Sequence, residues 1–191
     1  GDVYKRQTLH IWAWTYNENV IVNQTVTIIG NATSNTTLNI TSGKGFDISS
    51  DAVSISNILV KGCGSTLGHN AFQIAGDSVT VENVVGKDCS KGISISGSGA
   101  WVGNSSFIDN DSNGIEIWVG TSSTTSVTIY KNNISSNGRY GILTSEDDAI
   151  IRSNTIRDNS NDGIVISGAD VIVSGNNISG NSCLLYTSDA A

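Results

Sequence analysis

Three sets of side chains in this chain have the types and spacing to do chemistry. The first is acidic: Glu146, Asp147 and Asp148 are consecutive, and hard cations such as calcium gather several carboxylate and carbonyl oxygens. If the chain repeats, Asp170 falls one turn after Asp148, in the same turn column as Asp51 and Asp77, and the four residues Glu146, Asp147, Asp148 and Asp170 become calcium candidates, with Arg152 and Arg157 on the coil that follows. The same residues also suit a plain solvated turn. The second set is aromatic: Trp101, Trp118, Tyr130 and Tyr140 are flat rings with polar edges that suit sugar faces, and Glu116 could bond hydroxyls beside them. Unrelated surface aromatics are the competing explanation. The third set is nearly empty, because His10 and His69 are far apart, Met is absent, and no Cys/His group has metal-ligand spacing. His69 is expected to be exposed in an inserted turn.

Whatever positions these residues is a repeat. The stretch from Val127 to Ile142, "VTIYKNNISSNGRYGI", returns as "IIRSNTIRDNSNDGIVI" from Ile150 and as "WVGNSSFIDNDSNGIEI" from Trp101. One column of the repeat reads Cys63, Cys89, Asn110, Asn137, Asn159 and Asn181, at intervals of 26, 21, 27, 22 and 22 residues. A second reads Phe46, Phe72, Ile93, Ile115, Ile142 and Ile164, at nearly the same spacing. A fixed period near 22 residues marks a stacked architecture.

Within each copy apolar residues alternate over short runs separated by Gly, Asn, Ser and Asp, the pattern of strands with one buried face. No sustained helical stripe is present. Three short strands and three turns fit each copy, and successive copies stack as parallel strands about 4.8 Å apart. The expected fold is therefore all-β: a right-handed parallel β-helix of about seven coils. The inserted turns Gly62 to Asn70 and Gly120 to Thr125 account for the longer intervals.

An inward Asn at each turn can satisfy backbone groups and the amide stacked above it. This predicts a ladder of Asn110, Asn137, Asn159 and Asn181 that continues the column of Cys63 and Cys89. The two cysteines stack close enough for a disulfide, but parallel side chains point the same way, which favours two buried thiols. Several Asn-x-Ser/Thr sequons cluster between Asn31 and Asn39, where glycosylation is the corresponding expectation.

The net charge of −7 and the lack of a basic run argue against nucleic acid as a partner. No apolar run approaches the ~20 residues that span a bilayer. Codons for Asp2 to Gln7 and for Cys183 to Ser188 can form an inverted repeat that looks like a translated sequencing adapter. Residues 1–7 and 183–191 are accordingly set aside, leaving 8–182 as an internal β-helix domain whose natural partners include neighbouring coils of a longer parent chain.

Thr8 to Gly30 resembles the opening coil of pectin-lyase-like β-helix proteins, with Thr15, Tyr16, Glu18, Val20, Thr27, Ile28 and Gly30 matching and Trp14 standing where Gly is usual. The later "N-x-I-x-x-N…G-I-x-I" coils resemble the parallel β-helix repeats of secreted and cell-surface proteins, including NosD-type accessory proteins. This resemblance implies the fold and an extracellular, surface or periplasmic location. It leaves two functions open: a non-catalytic stalk or surface contacting a polysaccharide or surface glycan, and a piece of a polysaccharide lyase or glycoside hydrolase. Lyases of this fold use carboxylate-bound calcium and a basic residue that abstracts a proton. The histidine and arginine motifs of polygalacturonase-type hydrolases have no counterpart here, and no catalytic residue can be assigned.

Overall fold

The computed structural model describes residues 7–118 and 126–187. The inserted turn at Gly120 to Thr125 and most of the amino-terminal flank fall outside them. Among the described residues, twenty-four short strands form three parallel sheets of eight strands each, and chain order visits the sheets in rotation. The first sheet runs through Gln7–Ile11, Val26–Gly30, Ser54–Ser56, Thr80–Glu82, Trp101–Gly103, Thr128–Tyr130, Ile150–Arg152 and Ile172–Ser174. The second includes Leu59–Gly64, Val85–Cys89, Ser106–Ile108 and Asn133–Ser135, and the third Phe46–Ile48, Asn70–Ile74, Lys91–Ile95, Ile115–Ile117 and Ile142–Thr144. The chain is thus a parallel β-solenoid of about eight turns, one more than the repeat count suggested. The extra turn comes from the opening strands at Gln7–Ile11 and Trp14–Tyr16 and from a last strand at Leu185–Thr187. That last strand lies in the flank set aside above, and its Leu185, Tyr186 and Thr187 are all exposed.

The Phe46 to Ile164 column is the inward row of the third sheet, residue paired with residue from coil to coil. Phe46 and Phe72 stack at 5.6 Å between ring centroids. Where the next large ring enters, at Phe107, the neighbours are small: a Cβ on Gly92 would lie 2.7 Å from the Phe107 Cβ and 2.6 Å from the Gly114 carbonyl. Large and small residues therefore interdigitate along the axis, and the core is filled by side chains.

Each coil turns three corners, and from Ala52 onward the corners of the described residues repeatedly place one residue in the left-handed region. Asn57, Asn83, Asn104, Lys131 and Ser153 stack at the first corner, Asp88, Asp109, Ser136 and Asp158 at the second, and Ala52, Ser78, Asp148 and Asp170 at the third. Left-handed backbone disfavours most side chains but is tolerated by Asn and Asp, which explains the turn composition of the repeat.

Behind two of these corners the backbone is sealed by amides. At the second corner Asn137 Nδ2 donates to Asn159 Oδ1 (2.8 Å) and to the Phe107 carbonyl (3.1 Å), while its Oδ1 accepts from the backbone N and Nδ2 of Asn110. Asn159 repeats the pattern on Asn181. A second ladder, which the sequence reading missed, runs behind the first corner through Ser105, Asn132, Asn154 and Asn176. Its signal was present as Asn132, Asn154 and Asn176 at intervals of 22 residues.

Two expectations are corrected here. Cys63 and Cys89 form a disulfide, with Cα atoms 4.5 Å apart. The side chains are not strictly parallel because the strand register shifts between Lys87 and Cys89, which pairs Cys89 with Gly64, and because Gly62 takes φ 78° just before Cys63. His69 is half-buried, with Nδ1 3.2 Å from the Gly43 nitrogen and 3.0 Å from the Cys63 carbonyl, so the inserted turn is folded back on the coil before it. Among the described residues no helix is long and apolar enough to cross a membrane.

Candidate carbohydrate-contact faces

The aromatic candidates divide between two faces. On the first sheet Trp101 pairs with Thr80 and Thr128, while Gly103 pairs with Tyr130, and Tyr130 with Arg152 on the next coil. Strand alternation sends Trp101, Gly103, Tyr130 and Arg152 outward, with Val102, Ile129 and Ile151 inward and buried. The Trp101 ring lies down across Gly103, leaving no room there for a Cβ. It therefore lies beside the backbone position of Tyr130 on the next coil, so this face carries an aromatic platform of Trp101 with Tyr130 adjacent. Lys131 Nζ is 5.0 Å and the Arg152 guanidinium 4.9 Å from the centre of the Tyr130 ring. Gly103 was not foreseen; the sequence signal was a Gly at the outward position two residues after Trp101.

Glu116, Trp118 and Tyr140 belong to the third sheet. Glu116 is in the outward row, with Ser94 and Leu143 as its neighbours. Its carboxylate is engaged on both oxygens: Oε1 ion-pairs with Lys91 Nζ, and Oε2 accepts from Asn113 Nδ2 at 2.7 Å. The Lys91 and Glu116 side chains are only 11% and 15% exposed, so this pair ties two coils together before it could meet a ligand. Trp118 follows the strand Ile115–Ile117 and is 70% exposed, whereas Tyr140 precedes the strand Ile142–Thr144. These two rings flank opposite ends of the sheet. Tyr140 carries the Arg139 guanidinium 5.0 Å from its ring centre.

The acidic candidates do not converge. Asp147 Oδ1 accepts from the Ala169 backbone N at 2.6 Å, and Glu146 is buried. Asp51 and Asp77 make the same bond to the next coil, to Asp77 N and Ser98 N, so they share the column of Asp147. Asp148 and Asp170 form the adjacent left-handed column, which corrects the alignment expected from the sequence. The shift arises because the exposed carboxylates of Asp51, Asp77 and Asp147 are directed along the stack to cap a backbone N–H of the next coil. Among the described residues no three His, Cys, Asp or Glu side chains are grouped to hold a metal ion. Arg152, expected near these acids, is instead against Tyr130.

Three parallel sheets wound around one apolar core, with amide ladders behind the corners, define the class of right-handed parallel β-helices. The chain belongs to the family described as "Right handed beta helix region", whose profile matches residues 45–191. Among solved structures it is similar to the Agl-KA catalytic domain, with a TM-score of 0.73, 18% identity, and coverage of 95% of this chain and 40% of that one. It is similar also to the catalytic unit of the thermostable GH87 α-1,3-glucanase from Streptomyces thermodiastaticus strain HF3-3, with a TM-score of 0.74, 18% identity, and coverage of 92% and 35%. The chain thus spans well under half the length of either. No curated protein sequence matches it.

Proposed function

We propose that this β-helix is a segment of a secreted or cell-surface repeat protein that holds carbohydrate on the outer face of its first sheet, without carrying out a reaction on it. The observation that carries the reading is Trp101 laid across Gly103 beside Tyr130. A ring lying along a sheet offers its face to a flat apolar partner, and the apolar face of a sugar is such a partner. The solenoid is stiffened by ladders behind two corners and by the Cys63–Cys89 disulfide, so the platform is held ready before binding, which lowers the ordering cost. The disulfide suits an oxidising, extracytoplasmic compartment.

A second reading, a segment of a polysaccharide lyase or glycoside hydrolase, draws on one observation besides the fold it shares with the two catalytic domains. Asp88 and Asp109 occupy the same corner on successive coils, with backbones about 5 Å apart by the coil spacing, and a pair of neighbouring carboxyls is what glycosidases work with. The binding reading is preferred because Asp88 is ion-paired to Lys87 at 3.2 Å, and both Asp residues sit at an exposed corner on the sheet opposite no aromatic platform. Affinity electrophoresis through polysaccharide-loaded gels, run beside an assay for released reducing or unsaturated ends, separates the two. Retardation without released ends is expected. Turnover that disappears in Asp88→Asn or Asp109→Asn would replace this reading with the second.

A further inference from the structure

The cations of the chain are unevenly used. Lys44 pairs with Asp47 at 2.8 Å, Lys87 with Asp88 at 3.2 Å, Lys91 with Glu116, and Arg157 with Asp158 at 2.8 Å. Lys61, Lys131, Arg139 and Arg152 enter no ion pair among the described residues, although the chain carries a net charge of −7 and offers more carboxylates than cations; of these four, Lys131 and Arg152 share one site. Both are exposed, and both are held against one ring, that of Tyr130. The acid in that outward row, Glu82, is two coils before Tyr130 and accepts from Asn104 Nδ2 at 3.0 Å.

Two like charges at one ring repel each other, and the ring quadrupole returns only part of that cost at an exposed site. An anion placed between them would remove the repulsion. A guanidinium resting on an aromatic face also keeps its in-plane N–H donors free, in the fork geometry that matches carboxylate and sulfate. The aromatic platform and the free cations are contiguous. Trp101 lies across Gly103, Gly103 pairs with Tyr130, and Tyr130 pairs with Arg152, so one ligand running along the stack would meet rings first and charges next.

We infer that the ligand of this face is an acidic glycan, a polysaccharide whose rings bear carboxylate or sulfate groups, and that Lys131 and Arg152 select it by that charge. The inference rests on the carbohydrate-contact reading above and adds the class of sugar. Trp101 and Tyr130 supply contact that any sugar face could use, while the two cations discriminate.

The test is an oligosaccharide array carrying the same backbones in neutral, C6-carboxylate and sulfate forms, probed with the whole chain, with Lys131→Gln plus Arg152→Gln, and with Trp101→Ala. The carboxylate or the sulfate forms should bind on the order of tenfold or more above their neutral matches, with the advantage falling as salt rises. Which of the two wins identifies the anion. The double variant should bind acidic forms no better than neutral ones, and Trp101→Ala should weaken all forms. Equal binding of acidic and neutral forms, or an acidic preference that survives the double variant, would overturn the inference and leave the carbohydrate reading intact. Absence of binding to every form would overturn both.

Discussion

The backbone N–H of Cys89 donates to the side-chain Oδ1 of Asn110 across 3.3 Å, so the disulfide and the asparagine ladder are one continuous column. From Cys63 to Asn181 the same inward position at the second corner is closed first by a covalent bond and then by amides. The column shows what a solenoid corner requires. The strand ladder pairs most backbone groups with the adjacent coils, but the tight turn strands an N–H and a carbonyl, which must find partners inside.

The ladder predicts the effect of removing one rung. Asn137→Val leaves the Asn110 backbone N–H and side-chain amide, the Phe107 carbonyl and the Asn159 Oδ1 short of partners. The cost is on the order of 1–3 kcal/mol for each group left unsatisfied. Urea denaturation should show a clear drop in midpoint, and an unshifted midpoint would show that the ladder carries no stability.

The second ladder should behave alike. Asn154 donates through Nδ2 to Asn176 Oδ1 and the Ile129 carbonyl, and it accepts from Asn132. Asn154→Ala should lower the midpoint about as far as Asn137→Ala, whereas Ser153→Ala at the exposed corner beside it should change stability by less than about 0.5 kcal/mol. Equal effects of the 153 and 154 changes would contradict the assignment.

The disulfide closes a loop of 26 residues. Chain-entropy arguments give such a loop about 3.5 kcal/mol of stabilisation. Reduced protein, or Cys63→Ala with Cys89→Ala, should lose roughly that amount in denaturant. Retention of full stability under reducing conditions would mean that packing alone holds the column.

How much of this was legible in the sequence varies with the kind of interaction. The columns Phe46 to Ile164 and Cys63 to Asn181 could be read because every coil repeats the same environment, so a residue's type reports its register. The second ladder was overlooked because its head is Ser105 rather than Asn, and its asparagines sit beside outward ones such as Asn133. The disulfide was misjudged because strict stacking was assumed where the inserted turn at Gly64 to His69 shifts the register. Asp51 and Asp77 were aligned with Asp148 instead of Asp147 for a similar reason: in a tight turn the residue that caps the next coil and the residue in left-handed conformation are adjacent, and at 147 and 148 both are Asp. The face at Trp101 depends on a ring lying over Gly103, a side-chain orientation that spacing does not encode.

Gly103 gives a test of that orientation without touching the core. The atoms nearest to a Cβ there all belong to the Trp101 ring, the far end of a half-buried side chain. Gly103→Ala should displace the ring and weaken glycan binding while leaving the thermal midpoint within a few degrees. Undiminished binding would mean that the ring does not act from where it lies.

The most direct test of the account is the affinity of the chain for the tightest glycan found on the array, measured by titration calorimetry beside Trp101→Ala and Trp118→Ala. Aromatic contact of this kind contributes about 0.5–1.5 kcal/mol beyond buried area, so Trp101→Ala should weaken binding on the order of tenfold. Trp118→Ala, on the third sheet, should leave affinity unchanged. The reverse pattern, with binding lost at Trp118 and kept at Trp101, would contradict the placement of the ligand on the first sheet.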